Sequence, residues 1–315
     1  MKKFLLTLVT AVSLLALSAC GGNNDIRLNM ATGGVTGTYF PFGGAMAEVI
    51  NYRTNINITV MASGGSADNI QQISAGDAQI AIAQNDVMSY AFYGTGFWSD
   101  REPVPSIRTL MSLYPETVQI VVHADSGIYS VADLAGKRVS IGDIGSGVEA
   151  NASQILASYG LTTGDIDVVN TGFGPSADAM RDLTLDAFFA TSATPNTAIM
   201  ELSIARDVRI LNISDSAIDQ LIRDYPFYVR VVVDSNDYAF MTEPVNTVAV
   251  QATLIASTDM DDQVAYDIVR TLIEYQAYVG HARGAYISPH NAVQSVSVEF
   301  HPGARRFFEE IGVLN

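Results

Sequence analysis

Four histidines and one serine are the side chains most worth testing for catalytic or metal-binding motifs in this sequence. The histidines are widely spaced and none has the spacing of a zinc site: His123, His281, His290 and His301. The serine lies in Gly145-Ser146-Gly147, which resembles the nucleophile elbow of hydrolases, but Ile144 stands where that motif has a glycine. The sequence therefore predicts no catalytic residue and no metal ligand.

Two glycine-containing segments also depart from the known phosphate-binding patterns. Gly136-Lys137-Arg138 lacks both the upstream glycine and the Ser or Thr of a P-loop. Gly34-Val35-Thr36-Gly37 lacks the glycine spacing of a dinucleotide-binding loop. We therefore expect no cofactor and no enzyme activity. A secreted hydrolase remains an alternative, and it would require a Ser-His or Cys-His pair that the spacing does not reveal.

Three glycine-rich turns favour the binding of a small anion instead. They are residues 31–40, Ser63-Gly64-Gly65-Ser66 and residues 142–147, and each stands between a predicted strand and a predicted helix. Glycine lets a backbone come close to a ligand, and the first N–H groups of a helix have no partner inside it. These donors and the positive end of the helix dipole suit a carboxylate.

Polar and aromatic side chains near these turns are further candidates for ligand contacts. Thr36, Thr38 and Ser66 place hydroxyl groups beside the turns, although simple helix capping would also explain them. Tyr39 and Tyr225 could cover a ligand or belong to the core. Asp86 and Glu149 could bind a ligand ammonium group, or serve as caps or solvated charges.

The elements that position these turns alternate between strand and helix. Short alternating or apolar segments at 26–30, 56–61 and 78–83 predict strands, and the segments between them predict helices. This order predicts an α/β fold with parallel pairing and with ligand loops at the carboxyl ends of the strands. Residues 117–123, 138–141, 166–169 and 186–190 continue it. Residues 247–255 predict a strand that returns to the first domain. Residues 259–283 predict the longest helix.

The first twenty residues predict export. A basic start, a short apolar run and Leu17-Ser18-Ala19-Cys20 form a signal peptide over 1–19 with a lipobox, so that Cys20 becomes lipidated. An ordinary signal peptide with a stray cysteine is the alternative. The formal charge of −16 becomes −18 once Lys2 and Lys3 are removed, which disfavours binding to nucleic acid or to an anionic membrane surface.

Several short segments, in this order along the chain, resemble one known family. They are residues 31–39, Ser63-Gly64-Gly65-Ser66, Gln84-Asn85-Asp86, residues 134–142, Gly145-Ser146-Gly147 with Glu149 and Asn151, Tyr225-Pro226-Phe227-Tyr228, and His301-Pro302-Gly303-Ala304. Together they resemble the TAXI family of extracytoplasmic solute-binding proteins, which serve TRAP transporters.

The resemblance implies a binding protein that delivers a solute to a permease driven by an ion gradient. Family members with a known ligand bind glutamate or glutamine, and related organic acids are plausible ligands. A sensor-type binding module without a transporter is a further alternative. The expected ligand-binding residues combine the turns with the positions that the resemblance implies: Gly34, Thr36, Gly37, Thr38, Tyr39, Ser63, Gly64, Ser66, Gln84, Asp86, Ser146, Gly147, Glu149, Thr191 and Tyr225.

The expected architecture is an α/β, two-lobe periplasmic-binding-protein fold of the type II-like kind with a ligand cleft between the lobes. Lobe 1 would comprise residues 25–120 and about 226–315, and lobe 2 about 121–225. A ligand that touches both lobes would stabilise the closed state. The protein would then be a periplasmic lipoprotein that touches the membrane through its lipid anchor and its TRAP transporter subunits.

Overall fold

Strands and helices alternate through most of the chain in a computed structural model that describes residues 25–314. The predicted signal peptide and Cys20 lie outside the described residues. The strands are β1 Ile26–Ala31, β2 Ile56–Met61, β3 Ile80–Gln84, β4 Ile107–His123, β5 Arg138–Ser140, β6 Asp167–Val169, β7 Ala187–Ser192, β8 Val208–Ile210, β9 Val229–Val233 and β10 Val245–Ser257. The α-helices are α1 Tyr39–Arg53, α2 Ser66–Ala75, α3 Asn85–Tyr93, α4 Gly147–Ser158, α5 Phe173–Arg181, α6 Thr197–Ala205, α7 Asp215–Asp224, α8 Asp262–Glu274, α9 Pro289–Ala292 and α10 Pro302–Glu310.

Local sequence explains why the early helices form where they do. In α1, Phe42, Met46 and Ile50 recur at a spacing of four and are fully buried. Helix α2 buries Ile70 and Ile73 and ends at Gly76, whose left-handed φ of +82° closes the helix as predicted. Each helix therefore covers one face of the sheet with its apolar side.

The sheet has a parallel group of strands at each end and antiparallel strands in the middle. Its order is β2-β1-β3-β10-β4-β7-β5-β6, with β8 beside β4 and β9 beside β10. Strand β1 is parallel to β2 and β3, and β5 is parallel to β6 and β7, which confirms the predicted parallel pairing. Strands β4 and β10 pair antiparallel with each other and with their outer neighbours.

Strands β4 and β10 pass through both halves of the molecule. The first part of β4 and the last part of β10 pair with each other beside β3, whereas residues 117–122 of β4 pair with β7. Two buried clusters cover the β2-β1-β3 half, and two others cover the β7-β5-β6 half. The chain thus has the predicted α/β, two-lobe fold, and below we call these parts the first half and the second half.

Three elements differ from the sequence prediction. Strand β4 begins at Ile107 rather than near 117, because the ladder continues through Pro115, a residue that usually ends a strand. Helix α3 directly follows β3, where only a strand end is predicted. Helix α8 ends at Glu274 rather than near 283. The apolar sequence pattern extends beyond the helix because the two short 3-10 turns that follow bury Val279 and Ile287.

No helix within residues 25–314 is both long enough and apolar enough to cross a membrane.

Candidate functional site

A cavity of about 300 Å³ lies where the two halves of the molecule meet. This volume is at the lower end of the range for small-molecule sites. The cavity is lined by residues from both halves: Gly33, Gly34, Val35, Thr36, Gly37, Thr38, Tyr39, Gly64, Gly65, Ser66, Gln84, Glu116, Gly142, Asp143, Ser146, Gly147, Val148, Thr171, Gly172, Phe173, Pro175, Thr191 and Ser192.

Four helices begin at the wall of this cavity. They are α1 at Tyr39, α2 at Ser66, α4 at Gly147 and α5 at Phe173. The turn before α2 requires glycine, because Gly65 has a φ of +107° and lies against Ser146 of the other half. Since the first N–H groups of each helix lack partners inside the helix, their donors and the positive ends of the dipoles converge on one space.

Most of the residues predicted to bind a ligand line this cavity. They are Gly34, Thr36, Gly37, Thr38, Tyr39, Gly64, Ser66, Gln84, Ser146, Gly147 and Thr191. The three predicted turns, two from the first half and one from the second, therefore do meet around one cavity.

Four predicted residues, Ser63, Asp86, Glu149 and Tyr225, do not line the cavity. Their side chains have other contacts. The Ser63 hydroxyl donates to Asn69 Oδ1 at 2.6 Å, and the Glu149 carboxylate accepts from the N–H of Gly145 at 2.7 Å. Asp86 accepts from Asn151 Nδ2 at 3.0 Å, and Tyr225 packs on Tyr228 with ring centroids 6.2 Å apart. These residues support the turns and the contact between halves.

Hydrogen bonds join the two halves across the cavity. The N–H of Gly174, in the first turn of α5, donates to Thr36 Oγ1 at 3.1 Å. The N–H of Ala67 donates to the carbonyl of Gly145 at 3.0 Å. The structure is therefore closed at the cavity, and the Thr36 hydroxyl contributes to this closure.

We expect Thr36→Val to weaken ligand binding without unfolding the protein. The variant leaves the Gly174 N–H without its acceptor in the closed state, which costs about 1–2 kcal/mol, or roughly 5- to 30-fold in affinity. Isothermal titration with a solute that raises the Tm of the natural protein measures the effect. Thr95→Val is the matched control, because Thr95 is exposed and makes no side-chain capping bond. Equal affinities of the two variants would contradict this role.

Glu116 lies in the wall of the cavity although it was not predicted from the sequence. It is only 2% exposed, and Tyr39 Oη donates to its Oε2 at 2.6 Å. Burial raises the pKa of Glu116 well above its usual range, the bond from Tyr39 partly opposes this rise, and the charge of Asp86 adds to it. Burial also raises the pKa of Tyr39 and of Tyr114 well above the usual range of tyrosine. An acidic residue inside an apolar strand pattern is the signal that could have identified Glu116.

The turn at Gly172-Phe173-Gly174-Pro175 is the other part of the site that the sequence reading missed. It follows β6 and includes the start of α5, so it repeats the strand, glycine turn and helix pattern of the three predicted turns. The Phe173 ring packs near Gly37 of the first half, with its Cε2 3.6 Å from the position of an added Cβ there. The repeated strand, glycine turn and helix pattern is the sequence signal that could have identified this turn.

The cavity has acidic but no basic side chains among the described residues. Glu116 and Asp143 line it, whereas no Lys, Arg or His does. Partial burial raises the pKa of Asp143 above its usual value. Within residues 25–314 no group of three or more His, Cys, Asp or Glu side chains could hold a metal ion. Any negatively charged part of a ligand would therefore be bound by backbone N–H groups and hydroxyls.

A buried polar network lies beside the cavity and joins α3 to α4. Asn151 Nδ2 donates to Asp86 Oδ2 at 3.0 Å and to Tyr228 Oη at 2.9 Å. Tyr228 in turn donates to Gln154 Oε1 at 2.6 Å, and Gln154 Nε2 donates to Tyr90 Oη at 3.1 Å. Burial raises the pKa of Asp86 to about 6. This network links α3 of the first half to α4 of the second half beside the cavity.

Comparison with known proteins agrees with this architecture. The arginine-binding extracellular protein ArtP of Bacillus subtilis is 25% identical over 198 residues, which are 60% of this chain and 72% of ArtP. The alkanesulfonate-binding protein SsuA from Xanthomonas axonopodis pv. citri, solved with bound MOPS, is 14% identical with a TM-score of 0.54, over 90% of this chain and 83% of SsuA. The periplasmic aliphatic sulphonate-binding protein SsuA from Escherichia coli is 14% identical with a TM-score of 0.51, over 82% of this chain and 75% of that protein.

These solved structures share the fold of this chain, which is that of periplasmic solute-binding proteins. The match to a family extends over nearly all of the described residues, since residues 30–312 match the NMT1-like family. The chain therefore belongs to the NMT1-like family.

Proposed function

We propose that this protein is an extracytoplasmic solute-binding protein that closes around a small carboxylate solute and delivers it to a membrane transporter. The observation that carries the proposal is the cavity between the halves, where glycine turns from both halves and four helix N-termini converge. A ligand that contacts both walls stabilises the closed state by its differential affinity.

The proposed ligand is glutamate, glutamine or a related organic acid. The N–H groups of Ala67, Glu149 and Gly174 already donate within the protein. The remaining backbone N–H groups at the starts of α1, α2, α4 and α5 are suited to a carboxylate, since no basic side chain is among the described lining residues. The Ser146 hydroxyl accepts from the Glu149 N–H at 3.2 Å, so its own hydrogen is available to the ligand.

A thermal-shift screen against amino and organic acids tests the ligand class. A ligand at one hundred times its Kd adds about 2.7 kcal/mol to the free energy of unfolding. We expect L-glutamate, L-glutamine or a close relative to raise Tm and to bind with a micromolar Kd in a titration. Failure of every carboxylate in the screen to raise Tm would contradict the proposed ligand. Steady turnover of small esters or amides would instead favour the hydrolase alternative.

The proposed transporter is of the TRAP type, as the resemblance to TAXI proteins implies. Uptake of radiolabelled L-glutamate into vesicles that contain the permease encoded beside this protein tests the assignment. We expect uptake to require both this protein and an ion gradient. Uptake that requires ATP would identify an ABC-type transporter, and the absence of any permease partner would favour the sensor-type alternative.

We also propose that Cys20 carries a lipid that anchors the exported protein to a membrane. The lipobox residues Leu17-Ser18-Ala19-Cys20 support this proposal. We expect Cys20→Ser to move the protein from the membrane fraction to the soluble fraction of the cell, as judged by fractionation and immunoblotting. Ser18→Ala, which keeps the acceptor thiol, is the control. An unchanged distribution of the Cys20→Ser protein would rule out the lipid anchor.

A further inference from the structure

We propose that Glu116 selects the ligand by binding its ammonium group, so that the cavity prefers an amino acid to the same acid without its amino group. The inference rests on the proposed function, since it concerns the same cavity. It assigns to Glu116 the role that the sequence alone suggested for Asp86 or Glu149.

The first step of the argument is that Glu116 has one oxygen left for a ligand. Its Oε2 accepts from Tyr39 at 2.6 Å, while Oε1 makes no hydrogen bond with any residue in 25–314. The side chain lines the cavity although only 2% of its surface is exposed. A buried carboxyl group with a free oxygen in a cavity is costly unless a donor occupies that position.

The second step is that another unsatisfied oxygen belongs to a residue of the same cavity wall. Gln84 Oε1 is buried and has no hydrogen-bond partner, and Gln84 also lines the cavity. Glu116 pairs with Val250 on one side of β10, and Gln84 pairs with Ala252 on its other side. Because residues two apart on a strand share a face, both side chains lie on one face of the sheet.

The third step is the charge of the wall. The carboxyl groups of Glu116 and Asp143 are not balanced by any Lys, Arg or His among the described lining residues. Asp86, by contrast, accepts from Asn151 outside the cavity, and Glu149 is used by the Gly145 N–H. An ammonium group has three donors and a positive charge, and it would satisfy the acceptors that the protein leaves free.

Binding of an ammonium group to Glu116 also changes the pKa of its carboxyl group. Burial raises the pKa of Glu116 well above its usual range, the charge of Asp86 adds to the rise, and the hydrogen bond from Tyr39 opposes it. A positive charge beside the carboxyl group favours the carboxylate and lowers this pKa again. Where the empty carboxyl group holds a proton, its O–H bond breaks on binding, the proton leaves to solvent, and the carboxylate pairs with the ammonium nitrogen.

Paired probes test the selection. Titrations compare L-glutamate with glutarate, and L-arginine with 5-guanidinopentanoate, because each second compound only lacks the amino group. We expect at least one amino acid to bind ten or more times tighter than its partner compound, and Glu116→Gln to abolish that preference. Glu48→Gln, an exposed residue outside the cavity wall, is the control and should keep it.

A second measurement follows the proton. Calorimetry in two buffers of different ionisation enthalpy should show more proton release for the natural protein than for Glu116→Gln when L-glutamate or L-arginine binds. Equal affinity for a paired amino acid and deaminated acid, or an unchanged preference in Glu116→Gln, would overturn the role of Glu116 and leave the proposed function intact. If neither compound of any pair binds, the carboxylate ligand fails and this inference fails with it.

Discussion

Replacing Gly303 by alanine is expected to destabilise the protein by about 3 kcal/mol. Gly303 lies in the first turn of α10, where it packs directly on the start of α8. A Cβ at this position would lie 2.8 Å from the carbonyl carbon of Asp262 and 2.9 Å from the nitrogen of Tyr266. These are backbone atoms, so no side chain can move aside and the two helices must separate. Urea unfolding measures the loss.

Gly44→Ala is the matched control for this prediction. Gly44 lies inside α1, and a Cβ there would meet nothing within 4 Å. The substitution should therefore stabilise the protein by about 0.5–1 kcal/mol, as expected for alanine in a helix interior. A Gly303→Ala protein as stable as the natural one would show that α8 and α10 do not pack this closely.

The second large effect is a loss of stability as pH rises from about 4 to 7, caused by Asp86. Its pKa is about 6 in the folded protein because burial disfavours the charged carboxylate, against 3.8 as the ordinary value. Between these values the folded state binds more protons than the unfolded state, so stability falls as pH increases. A difference of this size corresponds to about 3 kcal/mol.

Comparison with Asp86→Asn isolates this contribution. The asparagine cannot ionise and can still accept a hydrogen bond from Asn151 Nδ2, which lies 3.0 Å from the carboxylate in the natural protein. We expect the natural protein to lose stability relative to Asp86→Asn by up to about 3 kcal/mol between pH 4 and pH 7. Unfolding in urea at four pH values measures the difference. A difference that does not change with pH would show that Asp86 is not buried as described.

The three glycine turns could be predicted because their signal is local. In the turns before α2 and α4 a glycine with positive φ, Gly65 or Gly145, stands within two residues of the helix start. Parallel pairing of the strands then brings such turns to the same edge of a sheet. The turn before α5 has the same local pattern and could have been recognised in the same way.

The acidic residue inside an apolar strand pattern marks Glu116, but its place in the cavity wall could not be predicted from local sequence, because that place depends on distant pairing. It meets Tyr39 across 77 residues of chain and Val250 through the long antiparallel ladder. Asp86 and Glu149 have the residue type expected for an ammonium partner, but Asn151 and the Gly145 N–H occupy them. Residue type alone cannot distinguish a free carboxylate from one already bonded.

Lobe boundaries also depend on distant packing. Tyr228 and Val248 belong to the buried cluster around Leu156 and Phe189, and Val233 belongs to the cluster around Phe188. We therefore propose that lobe 2 extends from about 117 to about 250, and that lobe 1 comprises 25–116 and 251–314. Strand β9 pairs only with β10, which a reading of consecutive segments cannot reveal.

The passage of β4 and β10 through both halves limits how the molecule can open. Two lobes joined by flexible loops can rotate freely about one backbone bond. Two neighbouring strands that are hydrogen-bonded to each other resist such rotation. Opening must therefore spread as a gradual bend or twist over the ladder, near its register shifts between Gln251 and Thr253 and between Leu254 and Ile255. The paired strands therefore act as an elastic hinge that favours one relative orientation of the two lobes.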